Sequence, residues 1–183
     1  MATTSQRIGN DPRGTDMHNG PLDQLRGYGV LDTPNEPEFD ALVRRAAEIT
    51  GTPMALISLI DEHRQWFKAR IGIEVRETPL AISFCTHAVR GTGVFTVADA
   101  TVDERFARNP LVTGDPHVRF YAGAPLATSD GTRIGTICVL DDKPHVPLTA
   151  EQEGELTRLA DQVIATLDAR RRRGASPALA PVR

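Results

Sequence analysis

Residues 118–140 read VRFYAGAPLATSDGTRIGTICVL, and the fold class follows from them. Thr128-Ser129-Asp130-Gly131 is a turn, because an Asp-Gly pair supplies the backbone angles of a tight hairpin. The flanking segments, 118–126 and 132–140, are then antiparallel strands. The second is apolar on both sides, with Ile137 and Val139 against Cys138 and Leu140, so it belongs at the centre of a sheet covered on two faces.

Working outward, residues 54–60 (MALISLI) are apolar on both alternating sets and mark another central strand. Residues 64–71 instead alternate Arg64, Trp66, Lys68 and Arg70 against Phe67, Ala69 and Ile71, the pattern of an edge strand with one wet face. A short helix is expected at 81–90, ended by Gly91, and a short strand at 94–97. Asn35 and Glu38 fit an N-cap and its reciprocal acid, and Pro37 fits the first turn. Phe39, Leu42, Val43, Ala46 and Ile49 then form one apolar face that ends at Gly51. Leu22, Leu25 and Val30 mark a shorter helix before it, stopped near Leu31 by Pro34. Thr149 and Gln152 make a capping box for a last helix through Leu156, Leu159, Val163, Ile164 and Leu167 to about Arg173. This order of elements predicts an α+β fold, an antiparallel sheet with helices on its faces. Residues 98–117 are a connection longer than compact domains usually allow, which directs functional attention there.

The chain has 183 residues, 40% hydrophobic and 25% charged, the composition of an ordinary globular domain. Residues 1–20 and 174–183 lack apolar periodicity and are expected to be a disordered N-terminal segment and a flexible tail, leaving one domain over 21–173. The 21 basic and 24 acidic residues leave a net charge of −3, so no global charge favours nucleic acid or an anionic membrane. The run Arg170 to Arg173 fits a solvated helix end, where cations complement the helix dipole. The longest near-apolar stretch, 53–60, is far short of the ~20 residues that span a bilayer. Residues 1–10 have no apolar core of a secretion signal, so a cytoplasmic location is expected. Two cysteines, Cys85 and Cys138, with no C-x-x-C, exclude a zinc ribbon or a dense disulfide framework. The five histidines share no ligand spacing, and no metal site is expected. No phosphate-binding loop or nucleophile elbow is present.

Several short motifs stand in a telling order: Leu31-Asp32-Thr33-Pro34, Ser58-Leu59-Ile60-Asp61, Arg64-Gln65-Trp66-Phe67-Lys68, Ser83-Phe84-Cys85-Thr86-His87-Ala88 and Asn109-Pro110-Leu111-Val112. Arg119-Phe120-Tyr121-Ala122-Gly123-Ala124-Pro125-Leu126 and Gly135-Thr136-Ile137-Cys138-Val139-Leu140-Asp141 follow. From about residue 22 to 170 the chain resembles the GAF domain family, most of all the N-terminal sensor GAF domains of bacterial histidine kinases and diguanylate cyclases. The resemblance implies a PAS-like antiparallel sheet of five to six strands in the order 2-1-5-4-3, with helices on both faces. It also implies a ligand cavity beneath the helix and loop that precede the fourth strand.

The candidate pocket comprises Trp66, Phe84, Cys85, His87, Asp99, Arg105, Phe106, Asn109, Arg119 and Tyr121. Arg119 and Tyr121 share a strand face, and small Gly123 would leave room beside a guanidinium and a phenol. Asp99, Arg105, Phe106 and Asn109 sit on the long connection. Arg119 is equally expected to be held by Asp99 or Asp103, and Phe106 to plug the sheet. Some photoreceptor relatives attach a bilin to a cysteine beside a histidine, but two helical residues two apart point about 200° away from each other. Cys85 is therefore expected to be a buried apolar residue, and no cofactor is implied. GAF proteins that reduce free methionine sulfoxide need a cysteine in the region of 100–117, where this chain has none, and Cys138 is expected to be core.

No kinase, cyclase or DNA-binding sequence accompanies the domain. The chain is therefore expected to be a non-enzymatic sensory module for an unidentified small-molecule ligand. It would act as a homodimer through its terminal helices or on a separate signalling protein, without nucleic acid or membrane. Two rivals are a ligand-free interaction scaffold, its cavity filled by Phe106 and Tyr121, and a thiol enzyme of the methionine sulfoxide reductase type.

Overall fold

The computed structural model describes residues 20–175. The expected disordered segment at 1–20 and tail at 174–183 therefore fall almost wholly outside the described residues. The chain runs α1 (Pro21–Gly27), α2 (Pro37–Thr50), β1 (Met54–Ile60), β2 (Arg64–Ile71), β3 (Glu77–Pro79), a 3-10 turn (Leu80–Ile82), α3 (Cys85–Ala88) and β4 (Phe95–Val97). It continues through α4 (Pro110–Thr113), β5 (Phe120–Ala127), β6 (Arg133–Asp141) and α5 (Ala150–Ala175). One six-stranded antiparallel sheet has the order β3-β2-β1-β6-β5-β4. Without the three-residue β3, this is the expected 2-1-5-4-3. Among the described residues no helix is long and apolar enough to cross a membrane.

The turns form as their residues dictate. Asp130 Oδ1 accepts from the Thr128 hydroxyl and the Thr132 amide, and Gly131 adopts φ 84°. That left-handed angle suits glycine. The Thr149–Gln152 capping box closes reciprocally at 3.0 and 3.2 Å, and the Gln152 amide also donates to Ile49 O, joining the start of α5 to the end of α2. At the start of α2 the expected cap is corrected: Glu36, not Asn35, is the N-cap, and its side chain makes no capping bond. The helix expected at 81–90 is also shorter, a 3-10 turn followed by four residues of α3.

Two apolar layers flank the sheet. On one face α2 and α5 bury Phe39, Val43, Leu156, Leu159, Val163 and Leu167 against Ile57, Leu59, Phe120, Ala122, Ile137 and Val139. On the other, Leu56, Phe67, Tyr121, Cys138 and Leu140 meet Phe84, Phe106, Val112 and Val118 from α3, α4 and the loops around them.

β2 corrects the expected wet-faced edge strand, since Gln65 through Ala69 are all buried. Ile57 pairs with Ala69 and Ser58 with Phe67, so Lys68 is an extra residue that bulges from the ladder. A bulge resets the two-residue alternation. Trp66 and Ala69 therefore both face the helices, and Phe67 faces the opposite layer. The Lys68 ammonium, itself buried, donates to Thr33 Oγ1 (2.9 Å), Pro34 O (2.7 Å) and Glu36 Oε1 (2.7 Å). Arg170 of α5 donates to the same Glu36 oxygen at 2.9 Å and to the carbonyls of Tyr28 and Gly29. One carboxylate thus joins β2, α2 and α5.

Burial raises the pKa of Glu36, but the hydrogen bonds from Lys68 and Arg170 outweigh it and hold the carboxyl below its ordinary 4.5. A depressed carboxylate adds stability that is full above the unfolded value and is lost as pH falls through the folded one. Glu36→Gln is therefore expected to lower unfolding free energy at pH 7 by about 2–3 kcal/mol, because it strands a buried ammonium. Urea titrations between pH 3 and pH 7 should find the variant's deficit shrinking on the acid side. A deficit that stays constant with pH would show that the Glu36 charge is not what holds these elements.

Candidate functional site

Opposite the α2–α5 layer, three rings fill the space between the sheet and the loops. Phe106 stacks on Phe84 with centroids 4.0 Å apart and planes 8° from parallel, and Tyr121 also stacks on Phe84, at 5.3 Å. His87 meets the edge of Phe106 at 4.9 Å, and Phe95 lies beyond at 6.3 Å. Arg105 closes the outside, its guanidinium 4.9 Å from the Phe95 centroid and 5.3 Å from that of Phe106, held by Asp103 at 2.6 and 2.9 Å. The Tyr121 ring lies along its own strand over Gly123, where any side chain would collide with the phenol. That corrects the expected free space beside Gly123: it is where Tyr121 itself fits.

What remains is a cavity of about 50 Å³ bounded by Leu56, Phe67, Phe84, Val118, Tyr121 and both cysteines, and reaching the exposed Val75. Gln65 also lines it and belongs to a small polar group whose other members lie outside the lining. Ser58 and Thr136 are cross-strand partners on β1 and β6. The hydroxyls of Ser58 and Ser83 both donate to Gln65 Oε1, at 3.2 and 2.6 Å. Among the described residues the buried Thr136 hydroxyl has no hydrogen-bond partner.

Cys85 and Cys138, fifty-three positions apart, face each other with sulfurs 3.8 Å apart, and the Tyr121 hydroxyl donates to Cys85 Sγ at 3.4 Å. The contact with Cys138 lowers the Cys85 pKa; burial opposes this, and the nearby Thr136, Tyr121 and Ser58 hydroxyls assist it. Burial and the neighbouring Cys85 sulfur push Cys138 up. Burial and the two sulfurs raise Tyr121 well above its ordinary value, so it stays a donor. Burial and then the charges of Arg90 and Arg105 lower His87.

The candidate pocket residues therefore divide. Phe84, Cys85, Phe106 and Tyr121 converge in the layer, with His87 against its rim. Trp66 does not: the bulge at Lys68 turns it to the helix side. Asp99 accepts from the Thr101 amide and hydroxyl instead of facing the cavity. Asn109 caps α4 and donates to Ile82 O at 3.0 Å, which ties the long connection to the 3-10 turn. Arg119 is spent on the carbonyls of Val112 and Val118, not on Asp99 or Asp103. Ser58, Gln65 and Thr136 were missed, although each is a lone polar residue in an otherwise apolar strand register. No spacing rule could have brought Cys138 to Cys85.

The GAF domain family model matches residues 35–167. A cyclic di-GMP phosphodiesterase of Pseudomonas aeruginosa is 46% identical over 146 residues, which is 80% of this chain and 24% of that protein. The chain thus spans about a quarter of that relative's length. The GAF domain of an Acinetobacter phosphoenolpyruvate-protein phosphotransferase superposes with a TM-score of 0.63 at 18% identity, covering 85% of this chain and 97% of that one. A type II free methionine-R-sulfoxide reductase from Thermoplasma acidophilum gives 0.59 at 17% identity, covering 73% and 92%. Both structural likenesses establish the fold alone. The Pseudomonas match corrects the expectation of a non-enzymatic chain, because the relative it resembles at 46% identity is named an enzyme.

Phe106 is 1% exposed, and truncating a buried Phe typically costs about 3–5 kcal/mol. Phe106→Ala is expected to lose that much by chemical denaturation and to regain part of it in millimolar indole, which fits the vacated space. An unchanged denaturation midpoint would show that the ring does not fill this layer in solution.

Proposed function

The chain belongs to the GAF domain family, and from that membership we propose that it is the sensory module of a protein that controls cyclic di-GMP hydrolysis. It reads a small, mostly apolar molecule at the aromatic face of its sheet. The observation that carries this reading is the state of that face. Its cavity of about 50 Å³ is several-fold below the ~300 Å³ at which drug-sized ligand pockets begin. The missing volume is occupied by Phe84, Phe106 and Tyr121, of which Phe106 sits on a segment of turns. Ligand entry displaces Phe106 and, with it, the connection that Asn109 ties to Ile82.

A displaced ring has a route to the rest of the domain. Along β5 the side chains alternate: Tyr121 faces the aromatics, and Phe120, Ala122 and Ala124 pack in the layer that holds α5. A shift at Tyr121 is therefore felt at α5, the element we assign to output and to contact with a second copy. The size of the response is limited by the ligand's difference in affinity between the closed and open faces. The same rings also favour a second reading, in which they are a permanent core and the domain is a ligand-free interaction scaffold.

Native mass spectrometry of the protein purified from its own host separates the two. The sensory reading expects a retained small mass that leaves on denaturation and is reduced in Phe106→Trp, which overfills the site. Deleting the coding region should also change cellular cyclic di-GMP. Only unliganded protein through all growth phases, with unchanged cyclic di-GMP, would leave the scaffold.

A further inference from the structure

Cys85 and Cys138 are free, buried thiols in the wall of the cavity. We infer that together they form a peroxide-oxidisable dithiol, a modification site that closes to an intramolecular disulfide across the cavity wall. Three features of the geometry support this. The sulfurs already lie 3.8 Å apart, on two elements of unequal stiffness. Cys138 is on the central strand β6, and Cys85 is on α3, four residues long between a 3-10 turn and a loop. Reaching the ~2.05 Å of a disulfide asks α3 to move by roughly 2 Å.

The second feature is the donor at one sulfur. The Tyr121 hydroxyl donates to Cys85 Sγ at 3.4 Å, and Cys138 Sγ lies against the same sulfur at 3.8 Å; a donor of this kind favours thiolate, the reactive form. At Cys138 burial prevails, and that thiol stays protonated. The pair is therefore asymmetric, with Cys85 as attacking sulfur and Cys138 as resolving thiol.

The third feature is access by size. Both thiols border the cavity of about 50 Å³, which has room for one or two molecules the size of water at ~30 Å³ each. Hydrogen peroxide fits that space; glutathione and aromatic disulfides do not. The Cys85 thiolate attacks one peroxide oxygen, the O–O bond breaks, and hydroxide leaves and is protonated to water, giving a sulfenic acid. The Cys138 sulfur then attacks the Cys85 sulfur. The S–O bond breaks, and hydroxide leaves with the Cys138 proton as a second water. Two thiols and one hydrogen peroxide thus yield one disulfide and two waters, with two electrons passing to the peroxide. The product draws α3 toward the sheet and removes the sulfur acceptor from its present position under Tyr121.

The folded chain is treated with hydrogen peroxide, quenched with N-ethylmaleimide in denaturant and weighed intact. The expected product has lost two hydrogens, takes up no maleimide, and yields one cross-linked peptide pair containing residues 85 and 138. Its formation is expected to be at least ~tenfold faster than oxidation of free glutathione, as for other activated thiols, and slower with tert-butyl hydroperoxide. In Cys138→Ser, dimedone added together with the denaturant after peroxide exposure should trap a sulfenic acid at position 85. The wild-type measurement stands even if that variant folds poorly. Two maleimides per chain after peroxide exposure, oxidation beyond sulfenic acid without a cross-link, or a disulfide between chains would each overturn the inference.

Discussion

The β1–β6 pair buries side chains on both of its faces, and the rest of the domain is built to cover them. A sheet apolar on two sides needs two protecting layers, and this chain supplies two of very different kinds. The first is made of two long helices, α2 and α5, whose apolar faces meet the sheet continuously. The second has only four-residue helices, turns and loops, so its volume is filled by aromatic rings stacked on one another. A cover of helices is hard to open without unfolding the domain. A cover of rings on turns can open locally, and the candidate site lies on that side.

The single extra residue at Lys68 serves both layers. It turns Trp66 toward the helices while leaving Phe67 to the cavity. Its buried ammonium gathers the segment 33–36 and, through Glu36, reaches Arg170 on α5. The helical layer is thereby fixed to the sheet edge by charge as well as by apolar contact. A charge triad of this kind is worth less than its Coulomb energy suggests, because desolvation opposes it. What it secures is the relative placement of three elements.

Much of this was legible in the sequence. Strands 54–60 and 64–71 fall where their patterns place them, the Asp130-Gly131 hairpin forms, and the Thr149–Gln152 box opens α5. These depend on interactions between residues a few positions apart. The bulge at Lys68 was not legible, because period-two alternation has no mark for an inserted residue; the alternation read for 64–71 put Trp66 and Lys68 together on a wet face. Arg119 and Asn109 have the chemistry of ligand contacts, yet the backbone carbonyls of Val112, Val118 and Ile82 claim them. Nothing local foretells which carbonyl a long side chain will reach. The meeting of Cys85 with Cys138 depends on how a short helix sits over a central strand, a tertiary fact throughout.

Membership of the GAF family and the 46% identity with a cyclic di-GMP phosphodiesterase are the context of the sensing proposed for the ring-filled face. The most direct test of that unequal cover is native-state amide hydrogen exchange resolved to single residues. The account predicts that amides of α3 and of 104–113 exchange through sub-global openings, with free energies well below that of global unfolding. Those of β1, β6 and the first turns of α5 should exchange only through global unfolding. Equal protection on the two faces would contradict it, because the aromatic layer would then open only when the whole domain does.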